Sequence, residues 1–294
     1  IARGDTATMA KGPDSVAFLI PRNLVANVKL HAKQTRYINL HLYNLLADVR
    51  LADGRADIDT MSIAADFGNA GMNLMFDTSD MQDMQLGGHL DIAHINIVKF
   101  FDNFHKLTEM MPEAKNFSGN IAAAADMRMR IFPSMFLNVP SVWANARVEA
   151  WDLQVKQSPF LKRVTRMLLL PGDEPIDVKD ITVHAGIHSN LLEVFPFEFE
   201  MSKYKLVLSG LNNFNGGLYY HVGIVDWPLK IPFGINIKGD FHNPQLRFGG
   251  KDWHDINGAR VASGVNDNNR INLNKLGRRY AGEFVHTAAT YRGD

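Results

Sequence analysis

Cysteine is absent from the 294-residue sequence, which excludes disulfides, thiolate metal sites and cysteine nucleophiles. The 31 basic residues balance the 31 acidic ones, so no overall charge favours nucleic acid as a partner. Long hydrophobic runs are lacking, and no window approaches the roughly 20 apolar residues that a membrane-spanning helix needs. The hydrophobic fraction of 46% is nevertheless ordinary, and a chain of this length can bury a large core.

Sequence motifs of catalysis are missing as well. The chain has no phosphate loop, no dinucleotide fingerprint and no nucleophile elbow. His184 and His188 have the spacing of metal ligands on a helix, but they lie in a strand-like segment, where four residues span about 13 Å. We therefore predict a non-catalytic protein without a metal or other cofactor. Carboxylates could still pair across strands, so a carbohydrate-active enzyme remains the third interpretation.

Period-two alternation of apolar and polar residues is what the sequence has in abundance. Leu206 and Leu208 alternate with polar residues, and the segments 218–224 and 235–238 repeat the pattern. Such alternation is typical of antiparallel strands that bury one face. The sequence therefore predicts a run of amphipathic strands, each with one apolar side.

Turn signals connect these strands into one sheet. Asp53-Gly54 is a strong hairpin signal between two alternating segments. A slip in the alternation between Leu42 and Leu45 indicates a β-bulge. We predict that the sheet is continuous from this hairpin to Ile237.

Two segments have helical periodicity instead. Apolar residues recur every three to four positions over 95–111 and over 158–169, and Ser158-Pro159 is a typical helix start. Each helix has one apolar stripe and a charged back, so each is expected to pack on the sheet. The residues expected to be buried there are Phe101, Leu107, Phe160 and Val164.

Together these patterns predict a mostly-β fold: a long, twisted and curling antiparallel sheet with two amphipathic helices packed on its open side. Residues 1–15 are polar and unpatterned, which indicates a linker or frayed terminus, and residues 251–294 form a polar tail. The β-rich domain is then 16–250. Strands, a helix and further strands occur twice, which favours two diverged sub-repeats, 16–116 and 117–250, although no identity recurs at a fixed period.

Three motifs follow one another in the closing strands. They are a strand ending in Ser-Gly, a strand with Leu-x-Tyr after a short linker, and a last strand with Ile-x-Gly-x-x-x-x-Pro. The residues are, in order, Ser209, Gly210, Leu218, Tyr220, Ile237, Gly239 and Pro244. In this order the motifs resemble the C-terminal region of the AsmA-like family, and the resemblance extends more loosely over residues 16–250.

The resemblance implies a periplasmic, non-catalytic protein of outer-membrane biogenesis in a double-membraned bacterium. Family members are usually tethered to the inner membrane by an N-terminal helix, so membrane association through a segment not in this chain is implied. Larger relatives have curled sheets with an apolar groove and are implicated in moving phospholipid to the outer membrane. The expected partner is thus a phospholipid or other envelope lipid, with envelope proteins as further candidates.

The residue pattern agrees with a groove because about ten amphipathic strands have only two helices to cover them. An uncovered apolar sheet face must fold on itself, bind a partner or hold lipid. The alternative, from another class, is a structural or partner-docking β module with a closed core and no ligand. The expected groove walls are Met72, Leu74, Phe76, Leu206, Leu208, Tyr220, Val222, Ile235 and Ile237.

Methionines are the expected adaptable part of such a groove. Met72 and Met75 lie in one strand-like segment, and Met81 and Met84 follow just beyond it. Flexible thioether side chains suit acyl chains of varied shape. We therefore expect these four residues to place soft side chains on adjacent strand segments of the groove.

Overall fold

A single antiparallel sheet dominates the protein. The computed structural model describes residues 19–37, 40–104, 112–170, 176–188, 190–201, 204–213, 217–225, 233–240 and 243–250. Within these ranges the chain forms 14 strands of one sheet, two α-helices and two short 3₁₀ helices. The strands are β1 Ala26–Tyr37, β2 Leu40–Ala52, β3 Arg55–Ala65, β4 Gly68–Asp77, β5 Met84–Asn96, β6 Phe117–Ile131, β7 Trp143–Val155, β8 Ile176–Val178, β9 Ile181–His188, β10 Leu191–Met201, β11 Tyr204–Asn213, β12 Gly217–Ile224, β13 Gly234–Asp240 and β14 Pro244–Phe248.

Strand order follows the sequence almost throughout. Strands β1 to β7 pair consecutively, and so do β10 to β14. Between these runs, β8 and β9 share one position in the sheet, because each pairs with β7 on one side and β10 on the other. This pairing confirms the predicted mostly-β antiparallel fold and its continuity from the Asp53-Gly54 hairpin to Ile237.

The Asp53-Gly54 hairpin, between β2 and β3, has the geometry that its sequence predicts. Asp53 and Gly54 have φ angles of 52° and 81°, the left-handed values of a type I′ turn, whose twist matches that of the flanking strands. The predicted slip in β2 is a β-bulge, because the register against β3 shifts between Tyr43 and Leu46. Asn44, inside the bulge, has a φ of 50°.

Helix α1 (Ile97–Asn103) starts close to its predicted position. Asn96 caps it by accepting a hydrogen bond from a backbone N–H of the first turn. Phe101 packs on a small core cluster between α1 and β7, as predicted. The described helix is shorter than the predicted 95–111, and Leu107 lies outside the described residues.

Helix α2 (Pro159–Met167) confirms the second helix prediction. Ser158 caps it, with its Oγ 3.1 Å from the backbone nitrogen of Leu161, and proline occupies the first turn. Val164 is buried and Phe160 packs on the same core cluster. The predicted apolar stripe therefore faces the sheet.

The two ends of the strands differ in what connects them. At one end, here called the hairpin end, lie the connections 53–54, 78–83 and 132–142. The opposite end, called the helix end, carries both helices, because α1 follows the last residue of β5 and α2 follows that of β7. Both core clusters include a helix, so they lie towards the helix end.

The predicted domain limits are only partly within the described residues. The sheet occupies the described part of the predicted 16–250 domain. The predicted linker at 1–15 and polar tail at 251–294 lie outside the described residues. The two sub-repeats stay a prediction.

Candidate functional site

One face of the sheet is apolar from strand to strand. Leu74 lies opposite Ile58 on β3 and Gly88 on β5, and Gly88 lies opposite Met127 on β6. The row continues through Ala144, Ile187, Leu192 and Asn212. Because residues two apart in a strand share a face, this register defines one continuous surface, here called the apolar face.

All nine predicted groove residues lie on the apolar face, but in two separate regions. Met72, Leu74 and Phe76 are on β4. The other six, on β11 to β13, are Leu206, Leu208, Tyr220, Val222, Ile235 and Ile237. Six strand spacings of about 4.8 Å separate β4 from β11, which is about 29 Å along the sheet. Sequence patterning identified the face correctly but gave no information on this separation.

The closing strands form a covered patch, defined by Leu206, Val222 and Ile235 beneath α2. These three side chains are at most 5% exposed and share a core cluster with Val164 and Leu168. Leu208 and Ile237 pack against this cluster. In this region the apolar face is a closed core, as the alternative interpretation expected, because the helix occupies the space in front of the strands.

Tyr220 has a polar partner on the apolar face. Its hydroxyl donates a hydrogen bond to Oδ1 of Asn212 at 2.8 Å. Burial raises the pKa of Tyr220 to about 12, so the hydroxyl stays protonated at neutral pH. Its ring lies over Gly210, where an added Cβ would be 2.3 Å from the ring. The glycine of the Ser-Gly motif therefore makes room for the tyrosine of the Leu-x-Tyr motif.

On the same face, about six strands away from the covered patch, β3, β4 and β5 form an open patch. None of the described hydrophobic side chains in β1 to β4 is fully buried, and on β5 the buried ones, Met84 and Ile95, lie towards the two ends of the strand. Neither core cluster includes a residue of β1 to β5. On the edge strand, Val28 and Leu30 are 44% and 46% exposed. The residues that define the open patch are Ile58, Met61, Met72, Leu74, Phe76, Leu86 and Leu90.

The predicted methionine group is wrong in its membership. Met75 lies on the opposite face from Met72, because adjacent residues of a strand alternate. Met81 is exposed in the connection before β5. Met84 is on the apolar face, two residues before Leu86, and is fully buried. Met72 and Met84 share the apolar face with methionines that sequence spacing could not group with them, since cross-strand pairing brings them together: Met61, Met127 and Met129.

On the other face of the sheet, behind the open patch, a histidine lies between two carboxylates. His89 places Nδ1 2.7 Å from Asp126 and Nε2 3.1 Å from Asp91. Partial burial lowers the pKa of His89, but its hydrogen bonds to the two carboxylates more than offset this, so the net pKa is raised. His89 is therefore a cross-strand link between β5 and β6.

A buried polar cluster on the closing strands was not predicted. Tyr219 donates its hydroxyl to Oδ1 of Asn236 at 2.6 Å, and Nδ1 of His221 lies 3.0 Å from the same oxygen. All three side chains are buried. They lie on the other face of the sheet from the covered patch. In the sequence, the only indication of this cluster is that the three residues alternate with the apolar residues of β12 and β13.

The described residues offer no arrangement typical of a metal centre. His184 and His188 lie along β9, in agreement with the strand assignment, and no group of three or more ligating side chains forms a site within the described ranges. Among the helices that the structure describes, neither has the length and apolar character needed to cross a bilayer.

No protein-family model, curated protein or solved structure matches the chain. The resemblance to the AsmA-like family stays a prediction that rests on its closing motifs. The apolar face is therefore the feature of the molecule that points to a function.

Proposed function

We propose that this chain is a non-catalytic, periplasmic protein of outer-membrane biogenesis that binds or conducts lipid along the apolar face of its sheet. The observation that carries the proposal is the unequal cover of this face. Helix α2 closes it over β10 to β13, whereas the strands around β4 have no core cluster in front of them. The AsmA-like resemblance supports the envelope location and inner-membrane association.

The open patch has the dimensions of an acyl chain. From Ala70 to Phe76 the apolar residues of β4 extend over six residue steps, about 20 Å. One leaflet of a bilayer is about 15 Å of hydrocarbon, half of the roughly 30 Å core. Transfer of a sixteen-carbon chain out of hydrocarbon into water costs about 12 kcal/mol at about 0.8 kcal/mol per methylene. A continuous apolar surface of this length removes much of that barrier.

The side chains of the open patch suit ligands of varied shape. Met61 and Met72 are cross-strand neighbours, and Met127 and Met129 extend the same face onto β6. Thioether side chains are flexible and polarisable, so they adapt to different acyl chains without a fixed pocket.

Substitution of Leu74 by glutamate tests the proposal. Leu74 is only partly buried and belongs to neither core cluster, so the Leu74→Glu variant is expected to fold. The carboxylate introduced there is expected to exclude acyl chains. Lipid retained after gentle purification is measured by native mass spectrometry, together with the melting curve. We expect lipid on the wild type and its loss from a folded Leu74→Glu variant.

Asn69→Glu is the matched control. Asn69 lies on the same strand, on the opposite face, and is exposed, so the same charge there should leave lipid binding unchanged. A wild type that never carries lipid, or a folded Leu74→Glu variant that keeps it, would contradict the proposal. The first result would favour the alternative, a structural or partner-docking β module.

A further inference from the structure

The connection between β6 and β7 exposes a compact group of apolar side chains at the hairpin end. Phe132 and Phe136 are 46% and 54% exposed, and Met135 and Leu137 are 38% and 39% exposed. These four residues are here called the apolar tip. Isolated exposed apolar residues are common, but four within six positions form a patch, which usually marks an interaction site.

The exposure of the apolar tip is imposed by an ordered loop. The backbone N–H of Phe132 donates to the carbonyl of Phe136 at 2.9 Å, and that of Met135 donates to Phe132 at 2.7 Å. At the base, Asn138 donates to the carbonyl of Arg130 at 3.0 Å. These hydrogen bonds hold the loop in one conformation, so the apolar side chains are presented outwards rather than left exposed by fraying.

Other exposed apolar residues lie at the same end of the sheet. Met81, in the connection before β5, is 46% exposed. This connection is close to the apolar tip, because the first residue of β5 pairs with Ile131, the residue before Phe132. The segment before β1 is anchored at this end by a hydrogen bond from the Ile20 N–H to Thr78 Oγ1 at 2.9 Å. It exposes Leu19, Leu24 and Val25. The hairpin end therefore combines several exposed apolar groups on anchored backbone.

Arginines lie directly behind the apolar tip. Arg128 and Arg130 line a cleft of about 190 Å³ together with Gln85 and Ser141. Arg130 forms an ion pair with Asp83 at 3.0 Å, whereas Arg128 forms none with the described part of the chain. Trp143 lies opposite Arg128 on β7. Apolar side chains backed by arginine and tryptophan are the composition of protein surfaces at a membrane–water interface.

We infer that the hairpin end docks on the surface of a phospholipid bilayer, with the apolar tip in the interfacial region and Arg128 at the lipid phosphates. The inference rests on the proposed function and deepens it, because it names the surface from which lipid reaches the apolar face. Ile131 and Met129 belong to that face and lie next to the tip, so the hydrocarbon-like surface is continuous between the two.

Charged groups of both signs lie at the hairpin end. Exposed Asp53 and Asp80 accompany exposed Arg22 and Arg128, and Asp83 pairs with Arg130, so these residues give the hairpin end no excess of positive charge. Insertion of the apolar tip must therefore supply most of the binding. We expect binding to zwitterionic vesicles, with a moderate increase on anionic ones through Arg128.

Vesicle flotation of the full chain tests the inference. The probes are vesicles of phosphatidylcholine alone and of phosphatidylcholine with phosphatidylglycerol. The double variant Phe132→Ser/Phe136→Ser should bind about tenfold more weakly, since two large apolar side chains no longer enter the interface. Arg128→Gln should lose about fivefold on the anionic vesicles and less on the neutral ones.

Phe248→Ser is the matched control for the double variant. Phe248 is 55% exposed, much like Phe136, but it ends β14 at the opposite end of the sheet, beside Phe233. Its removal should leave flotation unchanged. Equal loss from Phe248→Ser would show that binding follows general hydrophobicity and would overturn the inference.

Other outcomes separate this inference from the proposed function. A wild type that floats with neither vesicle overturns the docking, and so does light scattering that shows the tip joining two copies of the chain without vesicle binding. Leu74→Glu should float normally while losing co-purified lipid. Flotation of a wild type that never carries lipid would support docking and contradict the proposal for the apolar face.

Discussion

The open patch and the covered patch have the same sequence pattern and different surroundings. Both consist of alternating apolar residues on one face of one sheet. Leu206 and Ile235 are fully buried under α2, whereas Met72 and Leu74 are only partly buried. The difference comes from a helix that follows β7 in sequence and packs on β11 to β13. Alternation therefore identifies an apolar face, and the position of the helices decides which part of it becomes core.

The largest effect is expected from removing a large side chain in each patch. Leu206→Ala should lower the free energy of unfolding by about 2 to 5 kcal/mol, because a fully buried leucine leaves a cavity. Leu74→Ala should cost less than about 1.5 kcal/mol, since the site is already partly solvated. Urea unfolding of both variants measures the difference. Equal costs would mean that the open patch is also core.

A smaller effect on stability is expected from removing the Ser158 cap at the start of α2, the helix that covers the closing strands. Ser158→Ala removes the oxygen that accepts the Leu161 N–H and should cost about 1 kcal/mol. Ser158→Asp keeps a capping oxygen and should be nearly neutral. Chemical denaturation of the two variants checks this. If Ser158→Ala is as stable as the wild type, the start of α2 contributes little to covering the closing strands.

The smallest effect concerns the polar back of the open patch. The raised pKa of His89 means that its bonds to Asp126 and Asp91 stabilise the fold fully below about pH 6.5, and that this contribution is lost as pH rises through the folded-state pKa. The stability difference between wild type and His89→Gln should therefore shrink as pH rises.

His184→Gln gives the opposite trend as a control for the pH series. Burial and the nearby Arg147 lower the pKa of His184, so its contribution is present above about pH 6.5 and is lost as pH falls. Thermal unfolding between pH 5 and 9 compares the two variants. A parallel pH dependence of both would contradict the assignment of the His89 ion pairs.

Local features were predictable because neighbouring residues determine them. The left-handed turn at Asp53-Gly54 and the Ser158-Pro159 helix start depend on a few adjacent side chains and were predicted correctly. The shared face of the nine predicted groove residues was also predictable, because alternation decides the face of each residue.

Long-range features were not predictable from the same pattern. The packing of α2 on β11 to β13 joins segments about 40 to 70 residues apart, and no periodicity indicates which strands a helix covers. The methionine group failed for a related reason, since register between β3 and β4 decides that Met61 accompanies Met72. The apolar tip was missed because Pro133 interrupts both strand and helix periodicity there.

The order of the strands has a consequence for how the chain reaches this structure. Neighbours in the sheet are neighbours in sequence along both long runs, so most pairings close only a short connecting segment. Short closures lose little chain entropy and form quickly, which places this fold among the faster β topologies. Each newly made strand finds its template already in place, so the sheet can grow by sequential addition while the chain is still being synthesised.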